Sequence, residues 1–406
     1  MANNNYIVDV LAPGTATVVV TDDGTGSDWL TFAGVYALPV DIRLSWTSTG
    51  GVSTEAMGFY FTSGNVGHRL VVKGLIENVR GSNGADTIQG NEAANILFGD
   101  QAATGIGGND VMGGGDGNDV LYGGTGNDQL SGGGGNDKLF GDVGNDIISG
   151  GAGIDQIEGG LGADQLSGGA TARDLLSYVS SNAAVNINIT FGSTTIGGGG
   201  HAAGDTINGF SDVVGSAFSD ILADTVKSTV AFGGNDNYFF GGDGNDSLFL
   251  GGGNDRGNGG NGNDRIFGEL GNDVIIAGAG ADTIVGGLGV DTLYGGFDND
   301  RFVFNSLSES GITTLTQDII VDFRRIQIDR IDLSMIDASI TAPGNNAFTF
   351  IGNVGSFGVG APQGQLRYDV VVGGCIIYGN VDSDTAAEFS LFVAGMPNLL
   401  ATDFFL

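Results

Sequence analysis

The chain has 406 residues, 78 of them glycine, and its 47 acidic and 14 basic side chains leave a formal net charge of −33. Such acidity excludes nucleic acid and anionic membrane as direct partners and makes divalent cations the natural counter-charge. At 41% hydrophobic residues the chain is too apolar for a disordered acidic tail, yet no run of eighteen apolar residues occurs, which excludes a transmembrane helix.

In chain order, residues 1–80 alternate apolar and polar positions in short runs (TATVVVT, VDIRLSW, MGFYFTS, HRLVVKGLIENV) separated by turn residues. This pattern predicts a small N-terminal β unit, sandwich-like in character. Residues 1–42 contain neither Lys nor Arg and no uninterrupted apolar core, so a Sec-type leader is not expected.

From there a nine-residue unit, G-G-x-G-x-D-x-U-x with U large and apolar, takes over; GGTGNDQLS (123–131) and GGNGNDRIF (259–267) fit it in every slot. A first block, 81–170, carries Asp110, Asp119, Asp128, Asp137, Asp146, Asp155 and Asp164 at nine-residue steps, with Asp86 as an outlier ahead of them. A second, 233–303, carries Asp236 and, after one ten-residue step, Asp246, Asp255, Asp264, Asp273, Asp282, Asp291 and Asp300. A repeat this short and regular decides the fold. Its glycines permit a tight turn with carbonyls bent inward. Its last three residues form a short strand whose central side chain points inward: Leu121, Leu130, Leu139, Ile148, Ile157 and Leu166, then Leu248, Ile266, Ile275, Ile284, Leu293 and Phe302.

Two units make one turn of a parallel β-roll, so residues eighteen apart stack. Asp119, Asp137 and Asp155 then line one edge and Asp128, Asp146 and Asp164 the other. Carboxylates stacked at a strand spacing of about 5 Å repel strongly unless a cation lies between them. Hard oxygen ligands in loose geometry suit Ca²⁺. The fold class is therefore all-β: two parallel β-rolls with flanking sandwich-like units.

Residues 171–232 read as a β-strand spacer, and 304–406 as a C-terminal β cap over the open end of the second roll. Within that cap the single Cys375, in VVVGGCIIYG, is expected to be a buried structural thiol. Asn380, Asp382 and Asp384 alternate in a loop and are candidates for one further Ca²⁺ site. The two histidines, His68 and His201, lie in unrelated settings; no H-E-x-x-H zinc helix and no G-x-S-x-G elbow exists, and neither histidine is expected to be catalytic.

The nonapeptide resembles the signature of the RTX (hemolysin-type) family of secreted Ca²⁺-binding proteins. IENVRGSNGADTIQGN is similar to a common lead-in of that family, with Asp86 and then Asn95 in the aspartate slot, and DRFVFN, DIIVDFRRIQIDRIDLSMID and GQLRYD resemble the region that follows the repeats in serralysin-type proteases. The resemblance implies ions held between stacked turns by the sixteen aspartates named above and by backbone carbonyls, among them those of Gly115, Gly117, Gly124, Gly126, Gly133, Gly135, Gly242, Gly244, Gly260 and Gly262. Some units depart from the pattern: Gly257 stands where U belongs, Ala277 replaces a leading glycine, Asp142 and Glu269 replace second glycines, and the motif lapses near Thr104 and Arg173. The ending LLATDFFL is similar to the family's uncleaved type I secretion signal. It implies the type I secretion machinery as a partner and a secreted, extracellular or cell-surface location in a Gram-negative bacterium. Three functions stay open: a structural protein that self-associates into a surface layer or matrix, which the near-complete use of the chain by repeats and flanks favours; an adhesin for cell-surface polysaccharide; and an enzyme with an unrecognised site.

Overall fold

A computed structural model describes residues 78–81, 83–100, 107–169, 173–189, 195–224, 236–341, 344–358, 362–382 and 384–406, and the backbone of six strands within residues 1–77. Among these residues there is no α-helix; helical geometry is confined to three-residue 3-10 turns such as Gly200–Ala202 and Arg325–Gln327. Among the described residues no helix is long and apolar enough to cross a membrane. The chain forms two compact units, one of residues 1–181 and 191–212, the other of residues 182–190 and 213–406.

In the first unit the repeat strands run in two parallel ladders. Val111–Asp116 pairs with Gln129–Gly134, and that strand with Ile147–Ala152; on the other ladder Val120–Thr125 pairs with Lys138–Val143 and then Gln156–Leu161. The register is eighteen residues, Val111 opposite Gln129 and Val120 opposite Lys138. Two nonapeptides therefore make one coil, and alternate residues face its interior. Leu121, Leu139 and Ile157 stack inside with no exposure at all, and Leu130, Ile148 and Leu166 face them at 1–3%. On the outer surface Phe98, Tyr122 and Phe140 stack ring on ring, with centroids 4.7 and 4.9 Å apart, which is the strand spacing.

The strands before the repeats depart from the sandwich expectation. Trp29–Ala33 pairs in parallel with Asn78–Arg80, and Asp41–Arg43 with Thr87–Gln89, so both join the same ladders as the repeats. Alternation of apolar and polar residues marks a strand with one buried face, and a sandwich strand and a roll rung share that signature. At the far end, Leu175–Ser177 and Thr206–Asn208, from the segment expected as a spacer, each add one more rung.

The second unit repeats the plan. Asn186–Ile189 and Ile221–Asp224 lead into Ser247–Phe249 and Arg265–Leu270 on one ladder, while Tyr238–Asp243, Arg256–Asn261, Val274–Ala279 and Thr292–Phe297 form the other. Asp318–Ile320 and Arg330–Asp332 continue the two ladders past the last nonapeptide. Phe389–Ala394 then pairs with Asp318–Ile320 and turns the sheet antiparallel through Gly374–Asn380 and Gln365–Val371. Cys375 is fully buried there, its thiol 3.0 Å from the Met396 carbonyl.

One irregular rung shows how the core is kept full. Gly257 leaves the inward slot without a side chain, and a Cβ there would lie 3.1 Å from both a Leu250 methyl and an Ile266 methyl. Leu250 stands in a leading-glycine slot and is fully buried, so it occupies the volume that Gly257 vacates. Exchanging the two tests this. Leu250→Gly should cost about 3–5 kcal/mol as a cavity and Gly257→Leu about 1–3 kcal/mol as overpacking. The double variant, which restores the regular unit, should recover most of both losses in calcium-bound thermal melts; additive losses would refute the compensation.

Candidate metal centre

A repeat aspartate of the rows is held by three backbone relationships, seen in full from Asp110 onward. Its Oδ1 accepts the amide of the acid one coil earlier: Asp110 N–H donates to Asp128 at 2.7 Å, Asp128 to Asp146 at 2.7 Å, and Asp146 to Asp164 at 2.8 Å. Its own carbonyl accepts an amide of the next coil, as Asp110 O does from Gln129 at 2.8 Å. Its Oδ2 points at the leading glycine of its own unit. A Cβ on Gly123 would lie 2.5 Å from Asp128 Oδ2 and 2.8 Å from the Gly141 carbonyl, so only a bare Cα leaves room for both oxygens. Leu250 and Ala277 are exceptions, placing a Cβ in the leading slot of Asp255 and Asp282.

The amide-to-carboxylate links join the acids into four rows. In the first unit one row runs Asp86, Asp110, Asp128, Asp146, Asp164, Asp205, and the other Asn95, Asp119, Asp137, Asp155, Asp174. In the second unit one row runs Asp220, Asp246, Asp264, Asp282, Asp300, Asp329, and the other Asn237, Asp255, Asp273, Asp291, Asp318. Asp236 is the one repeat aspartate that falls outside. It is exposed and accepts the Asn254 amide, while Asn237 takes the row position. Counting nine back from Asp246 gives Asn237, so the ten-residue step expected from sequence is a regular step onto an asparagine. Asp174, Asp205, Asp220, Asp318 and Asp329 extend the rows beyond the motif. Loops of other lengths separate them from their neighbours, so no fixed spacing announces them.

These carboxylates are almost wholly buried, at 0–2% exposure, and the Oδ2 atoms of Asp110, Asp119, Asp128, Asp137, Asp146, Asp164, Asp246, Asp264, Asp273 and Asp300 have no hydrogen-bond partner. An ionised oxygen buried in this way is costly unless a cation or a proton meets it. Burial, and then the neighbouring acids, push the carboxyl groups up from 3.8, to about 9 at Asp110 and Asp273, about 8 at Asp146 and about 6 at Asp128. An oxygen-only site of stacked carboxylates and turn carbonyls, with no nitrogen or sulfur, fits a hard divalent ion such as Ca²⁺.

The turn glycines nominated as donors, from Gly115 to Gly262, take φ values of 104–140°, which a side chain rarely adopts. Their carbonyls run along the stack: a Cβ on Gly133 would strike the Gly115 carbonyl, and one on Gly262 the Gly244 carbonyl. Beside Oδ2 itself stand carbonyls of leading glycines, Gly132, Gly141 and Gly150 among them, a set the sequence reading passed over. It also passed over a second ladder on the solvent side. The Asn109 side chain accepts the Asn127 amide and Asn127 that of Asn145; Asn118 likewise serves Asn136, and Asn245 serves Asn263, all at 2.7–2.8 Å. The recurring Asn-Asp pair was its visible sign.

Away from the rows, Asp382, Asp384 and Glu388 bring their carboxylate oxygens within 4.8 Å of one another. The Asn380 amide nitrogen donates to the Asp384 and Ala386 carbonyls, and its Oδ1 is buried without a hydrogen-bond partner. His201 lies buried in the 3-10 turn and its backbone amide bonds Ser181 Oγ. The His68 side chain lies outside the described residues.

The family model for the RTX calcium-binding nonapeptide repeat matches residues 74–103, 104–139, 140–172, 233–266 and 267–302. A search of curated proteins returned no match to the chain. Repeat pattern, parallel coils and rows of buried acids agree with that family, and the chain is an RTX hemolysin-type repeat protein that binds Ca²⁺ at multiple sites.

Two outcomes follow from this electrostatic arrangement. Asp128→Asn keeps an acceptor for the Asp110 amide and removes one charge. It should raise the Ca²⁺ midpoint for folding about fivefold, roughly 1 kcal/mol, and leave the chain no less stable in chelator; an equal loss in both conditions would refute a ligand role. The second concerns pH. Because the folded carboxyls are raised above 3.8, the ion-free fold is favoured below about pH 4 and loses that stabilisation as pH climbs through about 6 to about 9. Circular dichroism in chelator should show strand content falling over that range. With Ca²⁺ present the trend should reverse, since protons compete with the ion.

Proposed function

We propose that the chain is a secreted structural protein whose rolls fold on Ca²⁺ outside the cell and whose folded copies associate into a surface layer or extracellular matrix. The observation that carries the first half is the set of rows of buried, unmatched carboxylate oxygens. Neighbouring charges one strand apart oppose folding by about 3 kcal/mol per contact at an effective dielectric of 20. Where Ca²⁺ is scarce, as in the cytosol, the chain stays extended and fit for a type I exporter. At extracellular concentrations, sites of roughly 10⁻⁴ to 10⁻³ M affinity fill, and binding energy becomes folding energy.

The structural role is supported by how the acids are used. The buried aspartates are engaged in the rows, where each Oδ1 accepts a backbone amide and the carboxylate is held out of reach of solvent. The flanks pair onto the same ladders as the repeats. On this reading the chain is not an enzyme, and its partners are Ca²⁺, the exporter and further copies of itself. Electron microscopy of protein refolded in millimolar Ca²⁺ should show sheets or filaments that dissolve in chelator. Monomers that fold with Ca²⁺ yet never assemble would refute the assembly, and strand signal that survives chelator at neutral pH would refute the folding switch.

A further inference from the structure

The rows do not all end alike. In the first unit, the row through Asp110, Asp128, Asp146 and Asp164 finishes on Asp205. Asp205 Oδ1 accepts the Asp164 amide at 2.8 Å like every other member, but its Oδ2 accepts the Tyr178 hydroxyl, also at 2.8 Å. Tyr178 and Asp205 are both fully buried. In the second unit, the row through Asp246, Asp264, Asp282 and Asp300 is closed at both ends. Asp220 Oδ2 accepts the Ser216 amide at 2.5 Å, and the Ser216 hydroxyl reaches both carboxylate oxygens, Oδ1 at 2.8 Å and Oδ2 at 3.0 Å. Asp329 Oδ2 accepts the Arg324 amide at 2.6 Å. Arg324 stands five residues before Asp329, in the slot that a leading glycine fills elsewhere.

The contrast lies within each row. Asp164 and Asp300, one coil inside the closing acids, have Oδ2 atoms with no partner; Asp205 and Asp329 have theirs filled by a donor. The companion rows end on Asp174 and Asp318, whose Oδ2 atoms are open. A donor proton directed at Oδ2 supplies the positive partner that a cation would otherwise supply.

We propose that Asp205, Asp220 and Asp329 are calcium-free terminators, closing one row at its far end in the first unit and one row at both ends in the second, while the companion rows end on open acids. This rests on the calcium reading above. It assigns the carboxylates that the ions do not use, which the nonapeptide motif leaves undetermined. Tyr178, Ser216 and the Arg324 amide are positioning groups in this scheme; each holds a closing carboxylate with no demand for metal.

Native mass spectrometry of the Ca²⁺-loaded full chain tests the assignment by counting ions. Asp164→Asn and Asp300→Asn should each lose at least one Ca²⁺ from the wild-type count. Asp205→Asn and Asp329→Asn, which keep an Oδ1 acceptor, should hold the full count even where their melting temperature falls. Loss of ions from the closing variants equal to that from the inner ones would overturn the proposal. A direct measurement covers variants that fail to fold: wild-type crystals grown with Tb³⁺ in place of Ca²⁺. Anomalous peaks should adjoin Asp164 and Asp300, with none in bonding distance of Asp205, Asp220 or Asp329. A peak at any of these three refutes the terminators alone, whereas absence of metal from every row refutes the calcium reading and the terminators with it.

Discussion

Like charges held one strand apart in a dry interior are the constraint on which this molecule depends. A β-roll built from hydrogen bonds and a two-residue-deep apolar core would have little need of a ligand. Placing a carboxylate on every coil, with Oδ1 tied to the backbone and Oδ2 left bare, makes folding conditional. The apolar stacks of Leu121, Leu139 and Ile157 supply cohesion, and the acid rows decide when that cohesion can be used.

On the proposed reading, binding and folding are one event. The ligand set does not exist in an extended chain, because acids eighteen residues apart meet only when coils stack. The same geometry explains the glycines. The leading one gives way to oxygens, and the second and fourth turn the chain through positive φ. Asp142 and Glu269, at φ 69° and 71°, hold that conformation without being glycine, so the turn geometry is imposed by the stack.

Much of this was legible in the sequence, for a physical reason: a short repeat whose coils are alike turns a long-range contact into a fixed spacing. The inward residues, the two edges of acids and the oxygen-rich chemistry followed directly from nine and eighteen. Legibility failed where the spacing did. Asp174, Asp205, Asp318 and Asp329 join the rows across intervals of 19, 41, 27 and 29 residues, which no periodic reading can distinguish from surface acids. Asp236 shows the reverse error: the aspartate was in the sequence, but the row took its neighbour Asn237. The sandwich expectation for the N-terminal strands failed because alternation reports a buried face and says nothing of what covers it.

The asparagine ladder and the acid rows differ in what they allow between coils. The acid link spans 18, 19, 24, 26, 27, 29 or 41 residues with the same bond length within a few tenths of an ångström. The asparagine link spans 18, apart from Ser219 serving Asn245 across 26, and ends on Ile154, Ala163, Ala281 and Val290, whose side chains have no acceptor. The neutral ladder thus acts as a ruler, and the charged row as a hinge pin that fits any loop. The charged row keeps one bond geometry where the chain between neighbours is longest, from Asp164 to Asp205 and from Asp291 to Asp318, and the intervening residues are free to build rungs of their own.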